Sequence, residues 1–259
     1  MRAALEIRLR ADRSGRVDAS GTLAAAPLWC RWDGTTLWIV GSAASPVADD
    51  DVTLRVEVGP GVHAAVRSVA AMVLYTARGE GSTLRTEIVV DEGASLHWAP
   101  EPVIITAGAR HRSITSVEVA RRARVAVDEL VVDGRNAEDR GGRLTSELAL
   151  DIDGGPVLRS SYDTSTPGWD GPGGTDGARC LATRLAVGHD PDEDASPGTV
   201  TTATLLQPEG GGRLAVSLAE EPTDARSQLD EVLPLRRNGG ERQPLVETPP
   251  SSGMTAPVR

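Results

Sequence analysis

Lysine is absent from the sequence, although its 259 residues include 27 basic side chains, all of them arginine. This absence excludes enzymes that form a Schiff base on lysine and nucleotide-binding proteins that use a P-loop lysine. Aromatic residues make up only 3% of the chain and phenylalanine is missing, so Val, Leu, Ile and Ala must build the core. Because Val and Ile favour pleated, half-buried strands, the composition favours β-structure.

Cysteine is almost as scarce, and the residues that commonly bind metals lack the usual spacings. Cys30 and Cys180 lie 150 residues apart and form no CxxC pair, so buried free thiols are expected. The acidic stretch 190–194 resembles the start of a calcium loop but lacks the glycine and the final glutamate of that loop. No HxH, HxxxH or HExxH spacing relates the four histidines, which are His63, His97, His111 and His189. Structural roles are expected for them, with metal contact by one or two as the open alternative.

Long apolar runs and a positive net charge are missing too. The longest apolar stretch, 68–77, has ten residues and is too short to span a bilayer. The first residues contain no apolar core of a signal peptide, which predicts a cytoplasmic protein. A formal charge of −10 argues against nucleic acid or an anionic membrane as a partner.

A repeat of about thirty residues runs through the middle of the chain, from 52 to about 162. Each unit contains an alternating apolar segment, a short turn and a second alternating segment. The apolar residues just before the turns are Val58, Val90, Val119 and Ile152. Such units cannot bury their apolar faces alone, so we predict an all-β fold with a stacked β-repeat, β-helix-like body. Residues 62–77 also fit a helical pattern, but the repeat favours strand.

The remaining segments complete a single predicted β domain over residues 1–235. Residues 3–24 and 28–43 indicate hairpins, the second turning at Asp33 and Gly34, and residues 160–180 indicate a long surface loop. A helix is predicted after Pro222, with Thr223 as its N-cap. Residues 236–259, rich in Pro, Gly and Ser, are predicted to be a disordered tail.

One acidic residue stands out within the repeat. The alternation of Val125, Val127, Glu129 and Val131 places the carboxylate on the valine face if the strand is regular. A β-bulge that turns this side chain outward is the alternative. An inward carboxylate is costly unless it is paired or hydrated, so it would mark a polar passage or a site.

Four segments together resemble a known family. These are "VGPGVHAAVRSVAAMVLYTARG", "DEGASLHWAPEPVIITAGARHRSITSVEV", "ARVAVDELVVDGR" and "GRLTSELALDIDGGPVL". They are similar, in order and spacing, to four sequence segments of the urease accessory proteins called UreD, or UreH in some bacteria. The likeness is continuous from about residue 40 to 160. It implies an all-β, partly solenoid fold with one or two C-terminal helices.

The resemblance also implies a function without catalysis. Proteins of this family bind the urease apoenzyme and a UreF-type partner, which recruits a nickel-carrying UreG-type GTPase. Nickel is thought to pass through an internal channel, so no tightly bound cofactor is expected, only nickel in transit. Low affinity suits that role, since an ion held by a closed set of ligands would not move on.

The resemblance implies three candidate residues of the nickel channel, which are Asp50, Glu129 and Ser160. Asp50 matches the acid of the family's "GGD" block, and Glu129 matches the acid before its "LGR" segment. Ser160 stands where the family often has glutamate, which leaves a hydroxyl at the third position. Further departures are Ala48 and Asp49 in place of the paired glycines, and Val73 in place of a lysine.

A carbohydrate-acting β-solenoid enzyme is the alternative function, because stacked β-repeats also bear polysaccharide lyases and hydrolases. Such enzymes present aligned acids and aromatic sugar platforms. The five Trp and two Tyr residues, scattered along the chain except for Trp29 and Trp32, give this alternative little support.

Overall fold

In the part of the chain that the structure describes, two β-sheets face each other and one helix packs on the outside of one of them. The computed structural model describes residues 1–43, 45–76, 79–136, 139–189 and 203–235. The first sheet contains β1 (Arg2–Ala11), β2 (Val17–Gly21), β6 (Asp51–Val58), β9 (Ser82–Val90), β12 (Arg110–Val119), β14 (Arg143–Ile152) and β15 (Gly155–Asp163). Its spatial order is β15-β14-β12-β9-β6-β1-β2.

The second sheet is broader and contains shorter strands. Its members are β3 (Ala24–Ala25), β4 (Leu28–Trp32), β5 (Thr36–Gly41), β7 (His63–Ser68), β8 (Met72–Leu74), β10 (Ser95–Trp98), β11 (Val103–Ile105), β13 (Arg124–Asp133), β16 (Cys180–Val187), β17 (Ala203–Leu206) and β18 (Arg213–Ala219). The main path runs β17-β18-β16-β13-β10-β7-β5-β4-β3, and β11 pairs with β13 and β8. Residues 62–77 therefore contribute strands, as the repeat predicted.

The thirty-residue repeat sets the register of the first sheet. Val58 is the partner of Val90, Val90 of Val119, and Val119 of Ile152, all in parallel pairs. The residues that mark the repeat in the sequence thus lie side by side, and the predicted stacked β-repeat body is confirmed.

Most of the turns in the repeat connect the two sheets and do not form hairpins. β6, β9 and β12 lie in the first sheet, and each is followed by a strand of the second. The fourth unit differs, because β14 and β15 pair antiparallel within the first sheet. The hairpins predicted in the first 43 residues are present as the pairs β1–β2 and β4–β5. The predicted loop lies between β15 and β16.

Three apolar clusters hold these layers together. The largest fills the space between the sheets and includes Leu54, Val117, Val127 and Leu150. A second, smaller cluster between the sheets contains Leu74, Ile105, Val131 and Leu144. The third joins the outer face of the second sheet to the helix.

Helix α1 (Pro222–Val232) covers part of the outer face of the second sheet with Ala225, Leu229 and Val232. Its N-cap is Glu221, so the prediction of Thr223 at this position is wrong. Proline needs no hydrogen-bond partner for its nitrogen and is accommodated in the first turn, which moves the helix start upstream of the threonine. This helix is too short and too polar to cross a membrane. Residues 190–194 and the predicted tail, 236–259, lie outside the described residues.

Candidate functional site

A layer of polar side chains separates the two apolar clusters between the sheets. On β12, the inward alternation that begins with Val119 and Val117 continues through Thr115 to Ser113. On the neighbouring strands Thr86 of β9 is the partner of Thr115, and Ser146 of β14 is the partner of Ser113. Glu129 of β13 contacts Ser146 from the second sheet. We call these five residues, Thr86, Ser113, Thr115, Ser146 and Glu129, the polar belt. Three of them are at least nine-tenths buried: Thr86, Ser113 and Ser146.

Glu129 belongs to the belt because β13 is regular at this point. Glu129 pairs with Thr183 of β16 without a register shift, so the alternative of an outward bulge is wrong. The carboxylate faces the first sheet, where the Ser146 hydroxyl donates hydrogen bonds of 3.2 and 3.4 Å to its two oxygens. Burial raises the pKa of Glu129, and the bond from Ser146 opposes that rise.

The carboxylate of Glu129 lines a cavity of about 250 Å³ between the sheets. Ser146 and Ser160 also lie in its wall, with apolar residues of β16 and β18 on the opposite side. A groove of about 650 Å³ borders this cavity and shares Ser160 and Tyr162 with it. The structure therefore brings together two of the predicted channel residues, Glu129 and Ser160.

Tyr162 closes one side of the cavity. Its ring stacks on Trp169 with centroids 5.5 Å apart and an interplanar angle of 17°. Its hydroxyl is buried and makes no hydrogen bond of good geometry with any residue that the structure describes. Burial first, and then the nearby negative charge of Glu129, raises the pKa of this hydroxyl well above its ordinary value, so it stays protonated.

Asp50, the third predicted channel residue, lies apart from this cavity. It precedes β6, which β9 and β12 separate from β14. Its buried carboxylate accepts hydrogen bonds from the Met1 amino group at 2.9 Å, the Ser45 hydroxyl at 2.9 Å and the Val47 amide at 3.0 Å. Burial opposes ionisation of Asp50, but these donors lower its pKa overall.

The departures from the family pattern near Asp50 have visible structural roles. Ala48 adopts a left-handed backbone with φ of 46°, a conformation that favours glycine. Asp49 accepts a hydrogen bond of 3.1 Å from the Glu80 amide and so joins this loop to the start of β9. Val73 lies in β8 and pairs with Ile104 of β11.

Within the described part of the chain, no three His, Cys, Asp or Glu side chains are grouped closely enough to hold a metal ion. His63 and His97 contact Ser95 and Asp128, respectively. His111 is buried and His189 is half-buried, and each has a ring nitrogen without a hydrogen-bond partner among the described residues.

Sequence reasoning missed the hydroxyls of the belt. They could have been found from the alternation along each strand. Ser146 and Thr86 each fall at an inward-facing position of a strand whose other inward residues are largely apolar. A serine or threonine at such a position resembles an ordinary surface residue until the inward face is fixed by the repeat. Tyr162 carried no comparable signal, since its place depends on the hairpin that β15 makes with β14.

Comparison with known proteins gives one consistent result. The model of the UreD urease accessory protein family matches residues 3–248. The chain is 32% identical to the urease accessory protein UreD of Parafrankia sp. over 89% of its own length and 86% of that protein. It is 35% identical to UreD 1 of Saccharopolyspora erythraea, over 75% and 76%. For UreD of Streptomyces coelicolor the identity is 29%, over 90% and 96%.

Proposed function

The chain belongs to the UreD family of urease accessory proteins, and from this premise we propose that it is a cytoplasmic maturation scaffold for urease. In this role it binds the urease apoenzyme together with a UreF-type partner and, through it, a UreG-type GTPase. The proposed task is the insertion of nickel into the urease active site. The chain performs no catalysis of its own.

The observation that best supports this role is the Glu129 carboxylate, turned into a cavity between two sheets. A buried carboxylate lowers stability unless it is paired, hydrogen-bonded or hydrated, and a nearby divalent cation favours its ionised form. Two side chains near it, Ser146 and Ser160, add oxygen atoms that can replace water around a passing ion.

The belt offers weak and exchangeable contacts, as transport requires. Its members across β9, β12 and β14 are neutral hydroxyls, and Glu129 supplies the single carboxylate. Neutral oxygen ligands bind Ni²⁺ less tightly than imidazole or thiolate ligands do. An ion can therefore be drawn in by the charge of Glu129 and still leave.

Glu129→Gln tests this role, because glutamine keeps the side-chain volume and can still bond to Ser146 while losing the charge. A carboxylate and a divalent cation 4 Å apart attract by about 8 kcal/mol at an effective dielectric constant of 20. Loss of only about 1.4 kcal/mol of this attraction lowers the occupancy of the ion beside residue 129 roughly tenfold, so less nickel should reach urease. The measurement is the nickel content of urease after co-expression of the complete set of urease genes.

Glu147→Gln is the matched control, since Glu147 is the neighbour of Ser146 on β14 and pairs with Arg112 on the exposed face of the sheet. Both variants should co-purify with urease subunits as the unchanged chain does. Normal nickel content with Glu129→Gln, in a complex that assembles normally, would remove Glu129 from the proposed route.

The alternative of a carbohydrate-acting enzyme gains no support. The relatives are named as accessory proteins, which supports a role without catalysis. The two aromatic side chains in the cavity wall, Tyr162 and Trp169, stack on each other and so present little free face to a sugar ring.

A further inference from the structure

His111 is a buried imidazole with one ring nitrogen satisfied and one without a partner. Its side chain is 5% exposed, and its Nδ1 lies 2.8 Å from the hydroxyl oxygen of Ser82. Its Nε2 has no hydrogen-bond partner among the described residues. A buried polar atom left without a partner costs about 1–3 kcal/mol, so such an atom in a folded protein calls for a ligand.

The position of His111 connects it to the polar belt. His111 precedes Ser113 by two residues on β12, so both side chains lie on the inward face, about 7 Å apart along the strand. Ser82 is its direct neighbour on β9, and the Asp50 carbonyl accepts the amide hydrogen of Thr83, the next residue on that strand. One row across three parallel strands thus joins Asp50, Ser82 and His111.

Within this row, His111 has the chemistry of a weak ligand for a transition-metal ion. When the Ser82 oxygen accepts the Nδ1 hydrogen, the lone pair of Nε2 is free, which is the arrangement that ligating histidines adopt. Burial lowers the pKa of His111 to about 4, so the ring is neutral at physiological pH. Neutral imidazole suits Ni²⁺, Zn²⁺ and Cu²⁺, whereas Mg²⁺ prefers oxygen.

We propose that Nε2 of His111 is a nitrogen ligand for a divalent first-row transition-metal ion, oriented by the Ser82 hydroxyl and reached along the polar belt. The protein supplies this one nitrogen, and water or belt hydroxyls complete the coordination. Such a ligand discriminates against Mg²⁺ without holding the ion. The inference deepens the proposed function, on which it relies for nickel as the cargo.

Nuclear magnetic resonance of the four imidazole rings in the purified full-length chain tests this assignment. Paramagnetic Ni²⁺ added below one equivalent should broaden the ¹⁵N-coupled ring signals of His111 before those of His63, and excess Mg²⁺ should not prevent it. The ring signals are assigned from single His→Gln variants. We expect His111→Gln to weaken the apparent affinity of the chain for Ni²⁺ at least tenfold.

Two further variants complete the design. Ser82→Ala keeps the ring but removes its orienting partner, and an apparent affinity about tenfold weaker is expected, as for outer hydrogen bonds to metal ligands. His63→Gln, at an exposed ring bonded to Ser95, should change nothing. If His111→Gln does not fold, Ser82→Ala still decides the question.

The inference would be overturned if Ni²⁺ did not broaden the ring signals of His111. It would also be overturned if the affinity for Ni²⁺ were unchanged in both Ser82→Ala and a folded His111→Gln. Urease is absent from this experiment. Binding at His111 with no effect of Glu129→Gln on urease nickel would therefore remove Glu129 from the proposed route and leave the inference standing. Loss of nickel with Glu129→Gln and no binding at His111 would refute the inference alone.

Discussion

Arg184 provides the sharpest stability prediction, because it holds helix α1 to the second sheet from a buried position. Its guanidinium donates to both carboxylate oxygens of Asp128, at 2.7 and 2.8 Å. It also donates to Asp230 of the helix at 2.6 Å and to the Leu233 carbonyl at 3.0 Å. Burial opposes ionisation of Asp128, yet the Arg184 charge lowers the pKa of Asp128 well below its usual range.

Replacing Arg184 with methionine keeps an apolar chain of similar length but leaves the half-buried Asp128 without its main partner. Removal of one member of a buried ion pair costs about 3–5 kcal/mol. At roughly 2–4 °C per kcal/mol for a chain of this size, Tm should fall by about 6–20 °C. Urea unfolding followed by circular dichroism measures the loss, with an unchanged m-value as the check on two-state behaviour.

Two companions make this test decisive. Arg112→Met breaks an exposed pair with Glu147 and should cost less than about 1 kcal/mol. Adding Asp128→Leu to Arg184→Met removes the stranded charge and should restore most of the lost stability. A loss in Arg184→Met no larger than that in Arg112→Met would refute the account of a buried, structurally required guanidinium.

Two other predictions concern the loop before β6 and the buried histidines. Ala48→Gly should raise the free energy of unfolding by about 1 kcal/mol, because glycine accepts a φ of 46° without strain, whereas Ala149→Gly in β14 should lower it. The pKa values of His111 and His189 are lowered by burial from 6.5 to about 4, so the unfolded chain binds protons there that the folded chain refuses. Unfolding free energy measured over a pH series should therefore fall as pH drops from 6.5 to 4, by on the order of 3 kcal/mol per histidine. The raised pKa of Glu129 works in the opposite direction, so a profile that stays flat in Glu129→Gln would contradict the neutral state of both rings.

The sequence predicted the features that depend on periodicity. The turn-marking residues Val58, Val90 and Val119 are partners in the first sheet, and Glu129 faces inward as the alternation of β13 indicated. Both results follow from the fixed side-chain period of a strand. The neighbours of Glu129 could not be predicted in this way, because Ser146 and Tyr162 reach it from other strands and periodicity does not specify how two sheets face each other.

The buried position of Arg184 is a second feature that periodicity does not predict. In "CLATRLAV" the arginine alternates with alanines, a pattern equally suited to a solvated face, and only the docking of α1 makes that face a buried one. The sequence therefore contains no signal for the Arg184–Asp128 pair, which sequence reasoning missed.

The register of the repeat also explains why the belt is continuous. When parallel strands stack in register, the same inward position of successive repeats falls side by side, as Ser113 and Ser146 do on β12 and β14. Thr86 and Thr115 lie side by side in the same way at the next inward level, so the small polar residues form two adjacent rows across neighbouring strands. Apolar residues above and below these rows retain the core, in the clusters that contain Val127 and Val131. A shift of one residue in any strand would turn its hydroxyls to the outer face, so the stacking that stabilises the sheet also keeps the belt intact.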